Sequence, residues 1–253
     1  MENNPKPKRP IWKRWWFIML VGFVALFVIA GSGAPPEQAT NPPPATQSPT
    51  TGTPAAPPPP AAPAAPAAPR TISVSMTLTN GHYTAGIDFP AGRYNIEAVK
   101  GGGNVSSTNA FSGGINAIMG VAGQGDMFQQ KYSNINLPKG TVLSISRVAV
   151  TISSDAASAS ALEPRNQPIR DSVTLGNGHF VAGKDFPAGT YDISAVSGSG
   201  NVSSSNILSG GINAMMGVAG QGDLFEQLYK NIALTKDVTL SISNVRVKLT
   251  PSK

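Results

Sequence analysis

The chain contains no cysteine. That excludes disulfides, thiol catalysis, zinc–thiolate centres and a lipid-modified N-terminal cysteine, so any folded part is held by core packing alone. Histidine is almost missing as well, with only His82 and His179. Charged residues make up 13% of the 253 positions and aromatics 7%. So little charge argues against a helical bundle with solvated faces. What is abundant is glycine (27) and proline (23), the composition of turn-rich β structure together with a disordered tract. The net charge of +6 is concentrated in residues 1–14, where Lys6, Lys8, Arg9, Lys13 and Arg14 face only Glu2. No basic run follows, so no nucleic-acid partner is indicated.

Residues 15–34, WWFIMLVGFVALFVIAGSGA, carry no charge and are long enough to cross a bilayer core, which needs roughly 20 apolar residues. The basic tail before them places the N-terminus in the cytoplasm and everything after Ala34 outside. A cleaved signal peptide is the rival reading, supported by the small residues Ser32, Gly33 and Ala34 but opposed by Pro35 and Pro36 just beyond. An uncleaved, single-pass signal anchor is preferred. Both readings export the rest of the chain, the second as a secreted protein. Residues 35–70 are Pro, Ala and Thr-rich and cannot bury enough surface to fold, so they read as an extended stalk.

Beyond the stalk the sequence repeats itself. NGHYTAGIDFPAGRYNI from Asn80 returns as NGHFVAGKDFPAGTYDI from Asn177, an offset of 97 residues that persists without a gap through GNVSS, SGGINA, MGVAGQGD and LSIS. The two units are read as 71–152 and 169–253, joined by a polar linker at 153–168. Each is long enough to own a core.

Inside a unit the apolar period is two. Ile72, Val74, Met76 and Leu78 alternate with Thr and Ser, and Tyr94, Ile96 and Ala98 do the same. Asn80-Gly81 predicts a tight hairpin, and Phe89-Pro90-Ala91-Gly92 and Leu137-Pro138-Lys139-Gly140 predict turns. Late in the unit the parity switches, from Leu143 and Ile145 to Val148, Val150 and Ile152, which predicts a bulge or a strand crossing between sheets. Ile115, Ile118 and Met119 stand at helical spacing and predict one short helical turn. The fold class is all-β: two tandem small antiparallel β-sandwich or jelly-roll domains after one transmembrane helix and a Pro/Ala-rich disordered linker.

Chemistry is sparse. Neither histidine has a second histidine or a cysteine in its unit to form a metal or catalytic set. Asp88 and Asp185 precede Phe-Pro-Ala-Gly and suit turn caps, while Asp126 and Asp223 lie in glycine-rich loops. These four are the loop candidates for a ligand site, with half of a calcium site (Asp88 with Asp126, Asp185 with Asp223) as the weaker reading. The glycine runs lack the Gly-Lys-Ser/Thr ending and the strand-to-helix spacing of phosphate loops. No nucleophile–base pair or paired-acid arrangement stands out, so neither an enzyme nor a cofactor is predicted.

The motif Gly-x-Tyr-x-x-Gly-x-Asp-x-Pro-Ala-Gly-x-Tyr, present as GHYTAGIDFPAGRY (81–94), resembles a β domain of surface proteins from Gram-positive bacteria. GNVSS, the Gly-Ile-Asn segment and LSISRVAV resemble the same family, with Phe89 and Phe186 in place of its more usual aliphatic residue. The resemblance implies an extracytoplasmic location behind a membrane helix and carries no catalytic residue across. Two functions stay open. One is a membrane-anchored surface binding or adhesion protein whose two copies engage a repetitive target such as cell-wall polysaccharide. The other is an envelope structural or regulatory protein that binds a surface protein through a sheet edge.

Overall fold

The computed structural model describes residues 70–169 and 171–253. The basic tail, the apolar segment 15–34 and the stalk up to residue 69 lie outside the described residues. Among the described residues no helix is long and apolar enough to cross a membrane. Every regular element among the described residues is a strand: β1 (Thr71–Leu78), β2 (Gly81–Thr84), β3 (Gly92–Ser107), β4 (Asn116–Gly120), β5 (Lys131–Leu137) and β6 (Val142–Ser158) in the first half, then β7 (Val173–Leu175), β8 (Gly178–Val181), β9 (Gly189–Ser204), β10 (Asn213–Gly217), β11 (Leu228–Leu234) and β12 (Thr239–Pro251).

Two long strands organise the first half. β3 and β6 pair antiparallel along most of their length. The free edge of β6 takes β1 and then β2, and the free edge of β3 takes β5 and β4. The second half repeats these pairings, with β7 and β8 on β12, β12 on β9, and β10 and β11 on β9. One parallel bridge, Lys230 opposite Gly81, joins β11 to β2 and makes the whole a single extended mixed sheet.

The parity switch is a bulge. Arg147 sits at φ 64°, between Ile145 and Val148, and both neighbours point inward. The extra residue rotates the strand so that odd positions before it and even positions after it reach the same core. Gly103 lies against this kink: a Cβ there would fall 2.0 Å from the Ser146 carbonyl, so only glycine lets β3 cross so closely. Asn244 repeats the bulge in β12 at φ 61°.

Each half has its own apolar cluster. Tyr94, Ile96 and Ala98 are buried on one face of β3, as their alternation predicts. Phe89 meets Tyr94 edge to face at 5.5 Å, and Phe186 meets Tyr191 at 6.0 Å. Each tyrosine hydroxyl donates to a proline carbonyl, Tyr94 to Pro90 and Tyr191 to Pro187, at 2.6 Å. Burying rings of this size contributes roughly 2–3 kcal/mol each.

Four local expectations are corrected. Asn80-Gly81 makes no hairpin, because β1 and β2 both pair with β6 and run on as one interrupted strand. Its role is to match the bulge: Asn80 Oδ1 accepts the Arg147 amide at 2.6 Å. The helical turn around Ile115 is strand β4, with Ile115, Ala117 and Met119 inward and Ile118 outward. The hydrogen-bonded turn expected at Phe89–Gly92 lies earlier, at Thr84–Asp88, where the Ile87 and Asp88 amides donate to the Thr84 carbonyl. The linker does not begin at 153, since β6 runs to Ser158 and pairs with Thr71.

The remainder of that linker is a docked strap. The Glu163 amide donates to the Gly86 carbonyl at 2.8 Å, and Arg165 pairs with Asp88 at 2.5 Å. The Gln167 amide then bridges Thr190 and Ser252 in the second half. Pro168 has no N–H to donate to a sheet ladder, and β7 starts only at Val173, so the Gln167 side chain serves the edge of β9 that a strand would otherwise pair.

Candidate functional site

The two halves meet between β2 with the bulge of β6 on one side and β11 with the end of the 205–212 loop on the other. Most of the contact is polar. The Lys230 amide donates to the Asn80 carbonyl at 3.0 Å, and Asn80 Nδ2 donates to Glu226 at 2.5 Å. Ser146 and Tyr229 share a hydroxyl–hydroxyl bond of 3.0 Å. A carbonyl can only accept, so His82 Nε2 carries the proton that bonds Gly211 O at 2.8 Å, and neutral Nδ1 accepts from the Ser144 hydroxyl at 2.8 Å. Gly81 is forced by this contact, because a Cβ would lie 2.5 Å from the Lys230 carbonyl.

Burial sets the electrostatics here. Desolvation lowers the His82 pKa below 6.5, against a smaller opposing pull from the Gly211 carbonyl. Desolvation raises the Tyr229 hydroxyl above its ordinary value, with the Glu226 charge adding to the rise and Ser146 and Arg147 opposing it. Tyr83 is also raised, chiefly by burial.

Beside this seam runs an open groove of about 820 Å³. Lys100, Gln124 and Arg147 line it from the first half, and Asp223, Phe225 and Gln227 from the second. Glu226 and Arg147 also border a smaller recess of about 230 Å³ with Tyr229. Arg147 is exposed and forms no ion pair among the described residues, so its guanidinium is free to meet a ligand. Phe225 packs against Gly217, where a Cβ would lie 3.0 Å from the phenylalanine. The groove therefore offers an aromatic edge, side-chain amides and charges of both signs.

The four aspartates separate. Asp88 is structural: Oδ2 accepts the Thr84 amide at 2.6 Å and pairs with Arg165, while Oδ1 accepts from Asn231 at 3.3 Å. Asp185 caps the matching turn through the Val181 amide at 2.7 Å and is exposed. Asp126 is exposed in its loop, and Asp223 alone of the four lines the groove. Among the described residues no three His, Cys, Asp or Glu side chains cluster as a metal set. Sequence reasoning missed Arg147, Glu226, Lys230 and the strap residue Arg165. A signal for the first three was present, since the copies differ there: Arg147 against Asn244, Glu226 against Gln129, Lys230 against Ser133.

Compared with known proteins, the chain matches no family model, no curated protein and no solved structure.

Proposed function

We propose that this chain is a membrane-anchored, extracytoplasmic binding protein. In this reading residues 15–34 hold it in the membrane, the Pro/Ala-rich stalk lifts it clear, and two duplicated β domains, each a small antiparallel sandwich, present the groove between them to cell-wall polysaccharide. The observation that carries the reading is the open polar groove with the unpaired Arg147 on one wall and Asp223 and Phe225 on the other. A sugar polymer offers hydroxyls to such side chains and an apolar ring face to an aromatic, and an open groove admits a chain threaded through it. Binding rather than catalysis is favoured by how the other polar groups are used: His82, Asp88 and Glu226 are committed to bonds that hold the halves together.

The test is retention of the full chain on isolated cell wall, with soluble glycan as competitor. Arg147→Ala is expected to lower retention by about tenfold, the loss of one or two charge-assisted bonds, with thermal stability unchanged. Retention that ignores both the competitor and the substitution would sink the glycan reading. A stoichiometric protein partner would then support the envelope structural or regulatory role, which exposed apolar residues at the loop tips, Phe111 and Leu208, already favour.

A further inference from the structure

The contact between the halves is heterologous: it uses one surface of the first half and a different surface of the second. The head surface comprises Asn80, Gly81, His82, Asp88 and Ser146. The tail surface comprises Gly211, Glu226, Tyr229, Lys230 and Asn231. Each half contains both surfaces, so one of each is left over. The unused head is Asn177, Gly178, His179, Asp185 and Ser243, and the unused tail is Gly114, Gln129, Tyr132, Ser133 and Asn134. Burial marks the difference. Asn80 is buried and Asn177 exposed; Tyr229 is buried and Tyr132 half-exposed; Asp88 and Asn231 are half-buried while Asp185 and Asn134 are exposed.

The bonding groups of the used contact survive on the unused faces. His179 can repeat the bond of His82 to the Gly114 carbonyl, Ser243 the bond of Ser146 to Tyr132, and Asp185 the bond of Asp88 to Asn134. Gly178 keeps the backbone conformation of Gly81, with the Phe180 ring, which must swing aside on docking, lying where the Lys230 backbone packs on Gly81. The strap's Arg165 neutralises Asp88 in the used contact, and the unused tail supplies a cation of its own. Arg93 Nη1 donates to Asn134 Oδ1 at 3.1 Å, beside the place Asp185 would occupy. The equivalent residue on the used tail is Thr190. Lys131, which stands where Leu228 does on the used tail, lies opposite Glu97 in the sheet register.

We infer that a second copy of this chain docks head to tail, the β8 face of one molecule on the β5 face of the next, repeating the contact made inside each chain. A heterologous contact does not close on itself by a two-fold axis, so repetition produces a ring or an open filament. On the membrane-anchored reading proposed above, chains tethered to one membrane meet at high effective concentration, which favours such a contact.

Sedimentation velocity on the full-length chain in detergent micelles tests this, because micelles accommodate the apolar segment. The expected result is a concentration-dependent series extending beyond the dimer. Asn134→Asp sets a carboxylate against Asp185 and should weaken association at least about tenfold. Adding Asp185→Asn restores an amide–carboxylate pair with the roles exchanged and should restore the series. Tyr132→Phe, which removes only a hydroxyl, should weaken it a few-fold and guards against a folding defect in the first variant. A monomer at all concentrations, a dimer that grows no further, or a series unmoved by Asn134→Asp and Tyr132→Phe would each overturn the inference.

Discussion

Single residues show most clearly how context changes the meaning of an identical letter. Gly81 and Gly178 share a φ of 149°, yet a Cβ at Gly81 meets the Lys230 backbone at 2.5 Å while one at Gly178 meets only the Phe180 ring, at 3.1 Å. Gly81→Ala should therefore destabilise the chain by about 1–3 kcal/mol more than Gly178→Ala, by denaturant titration of both. His82 carries the pH dependence. Its folded pKa lies below the unfolded 6.5, so between the two values the unfolded chain binds more protons than the folded one. Its contribution to stability is complete above about pH 6.5 and is lost as the pH falls towards the folded pKa. His82→Gln keeps a donor for the Gly211 carbonyl and should flatten this part of the stability–pH curve. His179→Gln, at the exposed counterpart, is the control.

At the scale of elements, the strap is the least expected feature. A segment of Ser, Ala, Glu and Pro reads as a linker, yet it is bonded at both ends. The Arg165–Asp88 pair is well covered, with about 12% of each side chain exposed. Removing the cation leaves a carboxylate with only the Thr84 amide and the Asn231 amide as partners. Arg165→Ala should cost about 3 kcal/mol, read from the denaturation midpoint. The long strands behave differently. β3 and β6 are legible because their apolar parity reports one buried face, including the switch where Arg147 adds a residue. The Asn80-Gly81 pair misled because its turn chemistry is satisfied by the facing bulge rather than by a reversal of the chain. That distinction depends on a strand 67 residues away.

For the molecule as a whole, two apolar clusters are coupled through a mostly polar seam and a strap. The coupling predicts one calorimetric unfolding transition. Arg165→Ala combined with Gln167→Ala removes the strap's side-chain bonds to Asp88 and to the second half and should split that transition in two. A single transition in the double variant would mean that the seam alone couples the halves.

What the sequence determined by itself was local and periodic: strands with an alternating apolar face, a bulge at a parity break, Tyr94 in the core, an Asp88 cap, and a repeat at constant offset. These follow from neighbouring residues and from the two-residue period of a pleated strand. The candidate site was hardly legible, and only Asp223 of the four aspartates lines the groove. Only the tertiary structure decided which of two nearly identical pairs of surfaces is used. Asn80 and Asn177, or Tyr132 and Tyr229, carry the same side chains and differ only in what lies opposite. A repeated sequence encodes both copies of a surface equally. The choice between them rests on the short strap, which carries the chain from one half to the next, and on Glu226, whose carboxylate takes the Asn80 amide where the other copy has Gln129.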